Sequence, residues 1–316
     1  MNENKPEQSA AIIDFSEVSE QLHTVADYVR FGASQFNQAE LYFGHGISDA
    51  WHEALTLVMH QLALPQTMVA ELMQCRLTSS ERLAILHLFQ RRINEGIPAA
   101  YLTNQAMFCG LPFYVDERVL VPRSPIGELI DKRFDGLITN TPKRILDLCT
   151  GSGCIAIACA VAFPDAEVDA VDLSIDALNV AQINIEGHDL SAQVIPIQSD
   201  VFSGVAGQRY DLIVTNPPYV DQEDVDALPQ EYLHEPEMGL GSGVDGLDIV
   251  RQILAQAADH LNDDGVLICE VGNSQVHLSA AFANVPFQWL TFEYGGHGVF
   301  RLTKAQLVKH QQDFMQ

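Results

Sequence analysis

Positive charge is what this chain has least of. Against 42 Asp and Glu stand 17 Lys and Arg, a formal net charge of −25 over 316 residues. Such a field repels phosphate backbones and offers no basic footprint, so direct nucleic-acid binding is not expected. It also attracts a basic protein and speeds the encounter, besides keeping the chain soluble. No uninterrupted apolar run approaches the roughly 18 residues of a membrane span, and residues 1–9 are polar, without a basic-then-apolar leader. A cytoplasmic protein with no membrane partner is therefore expected. The six cysteines (Cys75, Cys109, Cys149, Cys154, Cys159, Cys269) form no Cys-x-x-Cys pair. That spacing argues against zinc or a disulfide framework and for small buried hydrophobes in a reducing compartment. The histidines contain no His-Glu-x-x-His, and no metal is expected. Internal repeats are absent too.

What is present suffices for a large core: 47% of residues are apolar, and the length suits one large or two unequal domains. The first hundred residues read as helices joined by short turns. Asp49 can cap a helix whose Trp51, Leu55, Val58, Met59 and Leu62 share one face. Thr78-Ser-Ser-Glu81 is a capping box opening a helix with Leu83, Leu86, Phe89 and Ile93 inward, stopped by Gly96 and Pro98. Between 107 and 121 the period changes, suggesting a β-hairpin around Asp116-Glu117 with Val119-Leu-Val121 in its second strand.

From residue 144 strands and helices alternate, the pattern of a parallel sheet with right-handed crossovers. Strands are expected at 144–148, 168–171, 192–197, 211–215 and 265–270. Helices are expected at 154–163, from a Ser174 cap towards 187, at 247–261 and at 276–283. Two final strands, 288–292 and 299–302, leave the last one antiparallel. The fold class is α/β, Rossmann-like, with a small helical N-terminal domain. The expected division is 1–103 helical, 104–124 a hairpin linker, and 125–316 catalytic.

Asn216-Pro217-Pro218-Tyr219 follows the apolar strand at 211–215, at the sheet edge where open α/β folds bind ligands. The prolines stiffen the turn and remove donors. The Asn216 side-chain oxygen and the Pro217 carbonyl can hold a planar –NH2 group, with the Tyr219 ring against its face. Asp147-Leu-Cys149-Thr150-Gly151-Ser152-Gly153 joins the first strand to its helix, its glycines permitting close backbone approach. Gly151-x-Gly153-x-x-Ala156 also satisfies the dinucleotide pattern, so NAD and S-adenosylmethionine both fit at this point. Asp172, about 20 residues on, can accept ribose hydroxyls. Asp200 and Val201 are placed to bond and flank an adenine. The Asn-Pro-Pro-Tyr turn decides for the sulfonium ligand: it has no role in hydride transfer, and Asp147 suits a cationic methionine end better than a pyrophosphate.

These residues resemble the class I S-adenosylmethionine-dependent methyltransferases that methylate glutamine in peptide-release factors and a ribosomal protein. The resemblance covers most of the chain. It implies S-adenosylmethionine as co-substrate, Asn216 and Pro217 as acceptors of the glutamine N–H groups, and Tyr219 packed on the amide plane. Within 114–130, Pro122-Arg123 is followed by Ser124-Pro125-Ile126-Gly127-Glu128. This is similar to the branch acting on large-subunit ribosomal protein number three, whereas the release-factor branch usually continues with Pro, an acid, Thr and Glu. A release-factor enzyme, a nucleic-acid amino-methyltransferase and a non-catalytic assembly factor are the alternatives. The acidic segment 220–245 (Asp221, Glu223, Asp224, Asp226, Glu231, Glu235, Glu237) is expected to be a substrate-facing lid for a basic protein segment.

Overall fold

Six helices lie among the described residues up to Thr103, and side-chain caps on four of them satisfy N–H groups that a helix start leaves free. The computed structural model describes residues 14–65 and 69–315; the polar segment 1–9 lies outside them. In order they are α1 (Phe15–Gln21), α2 (Val25–Gln38), α3 (Ala50–Gln61), α4 (Val69–Leu72), α5 (Ser79–Glu95) and α6 (Ala99–Thr103). Asp49 caps α3 and the Thr78–Glu81 box opens α5, which Gly96 ends in the left-handed region. Thr24 and Asp27 form a second capping box on α2. Tyr28, Phe36, Leu57, Met59, Ile85 and Phe89 fill the core between these helices. Trp51 and Leu83 depart from the expected inward face: both lie near helix starts and remain 43% and 41% exposed. Arg92 is fully buried, its Nε donating to Glu53 Oε1 at 2.6 Å.

Compact packing divides the chain into residues 1–104 with 229–234, and residues 105–228 with 235–316. The second unit starts with β1 (Ala106–Phe108) and β2 (Leu111–Phe113), an antiparallel pair. Its turn is Cys109-Gly110, both with positive φ, the backbone of a tight type I′ hairpin. The turn expected at Asp116-Glu117 is thus corrected: the hairpin within 104–124 closes at Cys109-Gly110 and ends at Phe113. Asp116 instead accepts from Arg118 and from the Tyr114 hydroxyl, and Val119–Val121 forms no strand.

Next come α7 (Ile126–Asp131), β3 (Arg144–Leu148), α8 (Cys154–Ala162), β4 (Glu167–Asp172), α9 (Ile175–Gly187), β5 (Val194–Gln198) and β6 (Tyr210–Thr215). They are followed by α10 (Gln222–Asp226), α11 (Asp248–Gln256), β7 (Leu261–Glu270), α12 (Gln275–Ala281), β8 (Gln288–Trp289), β9 (Val299–Thr303), α13 (Lys304–Lys309) and α14 (Gln311–Phe314). The sheet order is β5-β4-β3-β6-β7-β9-β8. The pairs from β5 to β7 are parallel, and β9 runs antiparallel to both β7 and β8. The antiparallel last strand is as expected, but it lies between β7 and β8. The helix expected at 247–261 stops at Gln256, because a 3₁₀ turn at Ala257–His260 hands the chain to β7 at Leu261.

Alternate strand residues feed two cores, as a sheet covered on both faces requires. Ile145, Val168, Leu212 and Ile268 pack towards α7 and α8. Leu146, Val171, Ile213 and Leu267 pack towards α11 and α13. No helix among the described residues is long and apolar enough to cross a membrane.

Candidate active site

Chain order reverses between β3 and β6, which lie side by side at the middle of the sheet. Ligands in open α/β sheets bind at such a switch point, outside the carboxyl ends of the strands. The glycine turn after β3, Asp172 at the end of β4, Asp200 after β5 and Asn216 after β6 all lie along that edge. The parallel register converges them: Leu148 is level with Thr215 and with Val171.

Asp147 is fully buried. Its Oδ2 accepts from the Thr150 hydroxyl at 2.5 Å and from the Ala156 N–H at 3.0 Å, which ties the turn to the first residues of α8. Burial pushes its carboxyl up to about 7, against the two hydrogen bonds that favour the ion. Its Oδ1 has no partner among the described residues. Oδ2 already braces the turn with both donors, so Oδ1 is the oxygen open to a further donor.

Gly151 has φ +55°, and a Cβ there would meet nothing within 4 Å, so the turn faces open space on that side. At Gly153, φ +80°, a Cβ would stand 3.2 Å from the Ala181 Cβ, making this the close approach of α8 to α9. Ser152 is buried, and its carbonyl accepts from Asn184 Nδ2 at 2.8 Å. Asp172 receives the Gly151 N–H on Oδ2 and the Ser174 N–H on Oδ1, both at 2.9 Å. Each oxygen keeps a lone pair for a further donor. Burial raises the Asp172 carboxyl, with the three backbone donors opposing.

Cys149 and Val201 share a second property. Both have positive φ, +59° and +47°, rare for any side chain and a true outlier for a β-branched one. Strain of this kind gathers at ligand sites, where the surroundings enforce it. Burial and the nearby Asp172 and Asp147 carboxylates hold the Cys149 thiol well above its usual range, so it stays neutral. Asp200 is exposed beside the buried Val201.

Asn216 is half-buried, and its Oδ1 is a buried acceptor with no partner among the described residues. Leaving such an oxygen unpaired costs about 1–3 kcal/mol, so the position is held for something other than folding. Pro217 is buried and Pro218 half-buried. The Tyr219 carbonyl accepts from Ser274 Oγ at 2.7 Å, and its hydroxyl donates to Glu270 Oε1 at 2.9 Å. Gly272, φ +43°, lies against the Tyr219 ring, and any Cβ there would collide with it.

Glu270, at the end of β7, is the site residue that the sequence reading missed. It is 4% exposed, accepts the Tyr219 and Ser124 hydroxyls on its two oxygens, and is pushed up to about 7 by burial. The available signal was a carboxylate closing the apolar run 266–269, one strand from Asn216.

The segment 220–245 differs from the expected acidic loop. It holds α10, two 3₁₀ turns and a bridge between Val220 and Gly241. Two of its acids are buried and internally engaged. Glu231 accepts from the Tyr42 N–H and pairs with Arg92, while Glu235 takes Arg123 on both oxygens and the Val121 N–H. Glu223, Asp224, Asp226 and Glu237 remain exposed.

The family described as methyltransferase small domain matches residues 129–243. A ribosomal protein uL3 glutamine methyltransferase from Neisseria gonorrhoeae is 50% identical over 300 residues, 93% of this chain and 99% of that protein. One from Neisseria meningitidis serogroup A is 49% identical over 302 residues, 94% of this chain and 98% of that protein. A solved methyltransferase structure from Pyrococcus furiosus covers 72% of this chain and 99% of its own, at 18% identity and a TM-score of 0.44.

Proposed function

This chain belongs to the family of ribosomal protein uL3 glutamine methyltransferases, and from that premise we propose that it methylates the side-chain amide nitrogen of a glutamine in that ribosomal protein. S-adenosylmethionine supplies the electrophilic methyl carbon. The observation that carries the reading is the unpaired, buried Asn216 Oδ1 at the switch point of the sheet.

Asp172 has spare acceptor capacity for the ribose hydroxyls. The open side of Gly151 admits the ligand backbone-close. Asp147 Oδ1 is left for the cationic methionine end, and Asp200 and Val201 flank the adenine. Cys149, Thr150, Ser152 and Gly153 shape the turn between them.

An amide nitrogen is a poor nucleophile because its lone pair is delocalised into the carbonyl. Asn216 Oδ1 and the Pro217 carbonyl accept its two N–H groups and stabilise positive charge as it develops there, an electrostatic preorganisation. With Pro218 stiffening the turn, they also aim the nitrogen in line with the methyl–sulfur bond; orientation of this kind can supply up to ~7–11 kcal/mol. Tyr219 covers the amide plane. The nitrogen–carbon bond forms as the methyl–sulfur bond breaks, and the nitrogen then sheds its proton to water. No side chain is needed as general base.

The substrate is a basic protein, which the net charge of −25 favours and bare nucleic acid does not. The N-terminal domain, residues 1–103, is assigned substrate choice, and the reaction is assigned to the cytoplasm, where ribosomal proteins are made. The test is labelled-methyl transfer into purified uL3 and release factors side by side, with the modified residue mapped. Label on a uL3 glutamine amide is expected. Label only on a release factor, or on another residue type, would overturn the assignment.

A further inference from the structure

Tyr219 is held from every side that the described residues supply. Its carbonyl is bound by Ser274 Oγ, its ring lies on Gly272, and its hydroxyl donates to Glu270. Glu270 is in turn fixed by a second donor, Ser124 Oγ, on Oε2 at 2.5 Å, and Ser124 is itself anchored by the Ile126 N–H at 3.1 Å. A carboxylate at 4% exposure is costly to keep unless its bonds do something. The charge of Arg123 acts on Glu270, yet that guanidinium is engaged bidentately by Glu235. The bonds drawn to Glu270 itself are thus hydroxyls, and one of them belongs to the aromatic ring of the Asn-Pro-Pro-Tyr turn.

We infer that Glu270 is a positioning residue of the transfer: by accepting the Ser124 and Tyr219 hydroxyls together, it fixes the plane of the ring against which the target amide lies. The inference rests on the reading of Asn216–Tyr219 as an amide site and adds a residue to it. A ring free to tilt lets the amide leave the line of attack, and misplacements near 1 Å can cost about 100-fold in rate. The effect belongs in kcat, because the cofactor turn after β3 is braced separately by Asp147 and Asp172.

The experiment compares Glu270→Ala, Glu270→Gln, Tyr219→Phe and the double variant Tyr219→Phe/Glu270→Ala. It reads kcat and KM for uL3, and S-adenosylhomocysteine affinity by calorimetry. Glu270→Ala should lower kcat by about 10-fold or more while leaving cofactor affinity intact. Glu270→Gln, which keeps an acceptor oxygen for Tyr219, should recover most of that loss. In the Tyr219→Phe background, Glu270→Ala should cost little more, the non-additivity of two residues acting through one contact. An unchanged kcat in Glu270→Ala, full additivity in the double variant, or an equal loss of cofactor affinity would overturn the inference while the amide reading stands. If Glu270→Ala does not fold, Ser124→Ala takes its place: its loss in kcat should vanish in the Tyr219→Phe background, and persistence there overturns the inference. A wild-type enzyme that places no methyl on glutamine overturns both.

Discussion

Asp147 and Glu270 are two carboxyls that burial pushes to about 7, each at the carboxyl end of a central strand. For Asp147 the folded value lies above the ordinary 3.8. The stability it contributes is therefore fully present below about pH 4 and is lost as pH rises through about 7. In ligand-free protein, Asp147→Asn should be more stable relative to wild type at pH 8 than at pH 5, by up to about 3 kcal/mol. Urea melts at the two pH values measure this, and an identical difference at both would contradict the assignment. Gly272→Ala should displace the Tyr219 ring, since φ is +43° and the Cβ space is already taken. Its methyl transfer should fall about 10-fold or more, read as kcat with uL3. The turn residues Gly151, Gly153 and Asn216 were legible because their meaning is local: short spacing from a strand end fixes where they lie. Glu270 was not, because its partners Tyr219 and Ser124 are 51 and 146 residues away in the chain.

Helix starts were legible for the same reason that turn residues were. Asp49, Thr78 and Ser174 each bond an N–H three residues ahead, so the signal and its cause share one window. Thr78→Ala should cost about 1 kcal/mol of stability, measured by chemical denaturation. Arg92→Met should cost more, about 3–5 kcal/mol, because it strands Glu53 and Glu231 in the helical core. Restoring part of that loss with a second change, Glu53→Leu, would show that the unpaired charge is the cause. Strand ends were less legible. Residues 262–264 fell between the helix expected at 247–261 and the strand expected at 265–270, yet they belong to β7, held by Asn262 donating to Asp211 beside an irregularity in register at Tyr210/Leu212. The hairpin was misplaced because Cys109 adopts a positive φ that its residue type does not announce.

At the scale of the molecule the dominant quantity is charge. A net −25 steers basic partners through a field that salt screens within about 8–10 Å at ordinary ionic strength. KM for uL3 should rise with added salt while kcat changes little. Neutralising the exposed Glu223, Asp224 and Asp226 together should raise KM at low salt; unchanged KM would remove the acidic segment from substrate capture. The alternation of strands and helices made the parallel sheet and the direction of its last strand readable in advance, whereas the place of that strand between β7 and β8 was not. Assignment of 229–234 to the helical unit was not readable, because it depends on Glu231 meeting Arg92 and Tyr42, more than a hundred residues earlier. The most direct test of the whole account is single-turnover methyl transfer to uL3 by Asn216→Ala with cofactor saturating. Loss of that one acceptor should slow transfer by about 100- to 1000-fold with cofactor affinity largely kept. A variant that transfers at the wild-type rate would contradict the account.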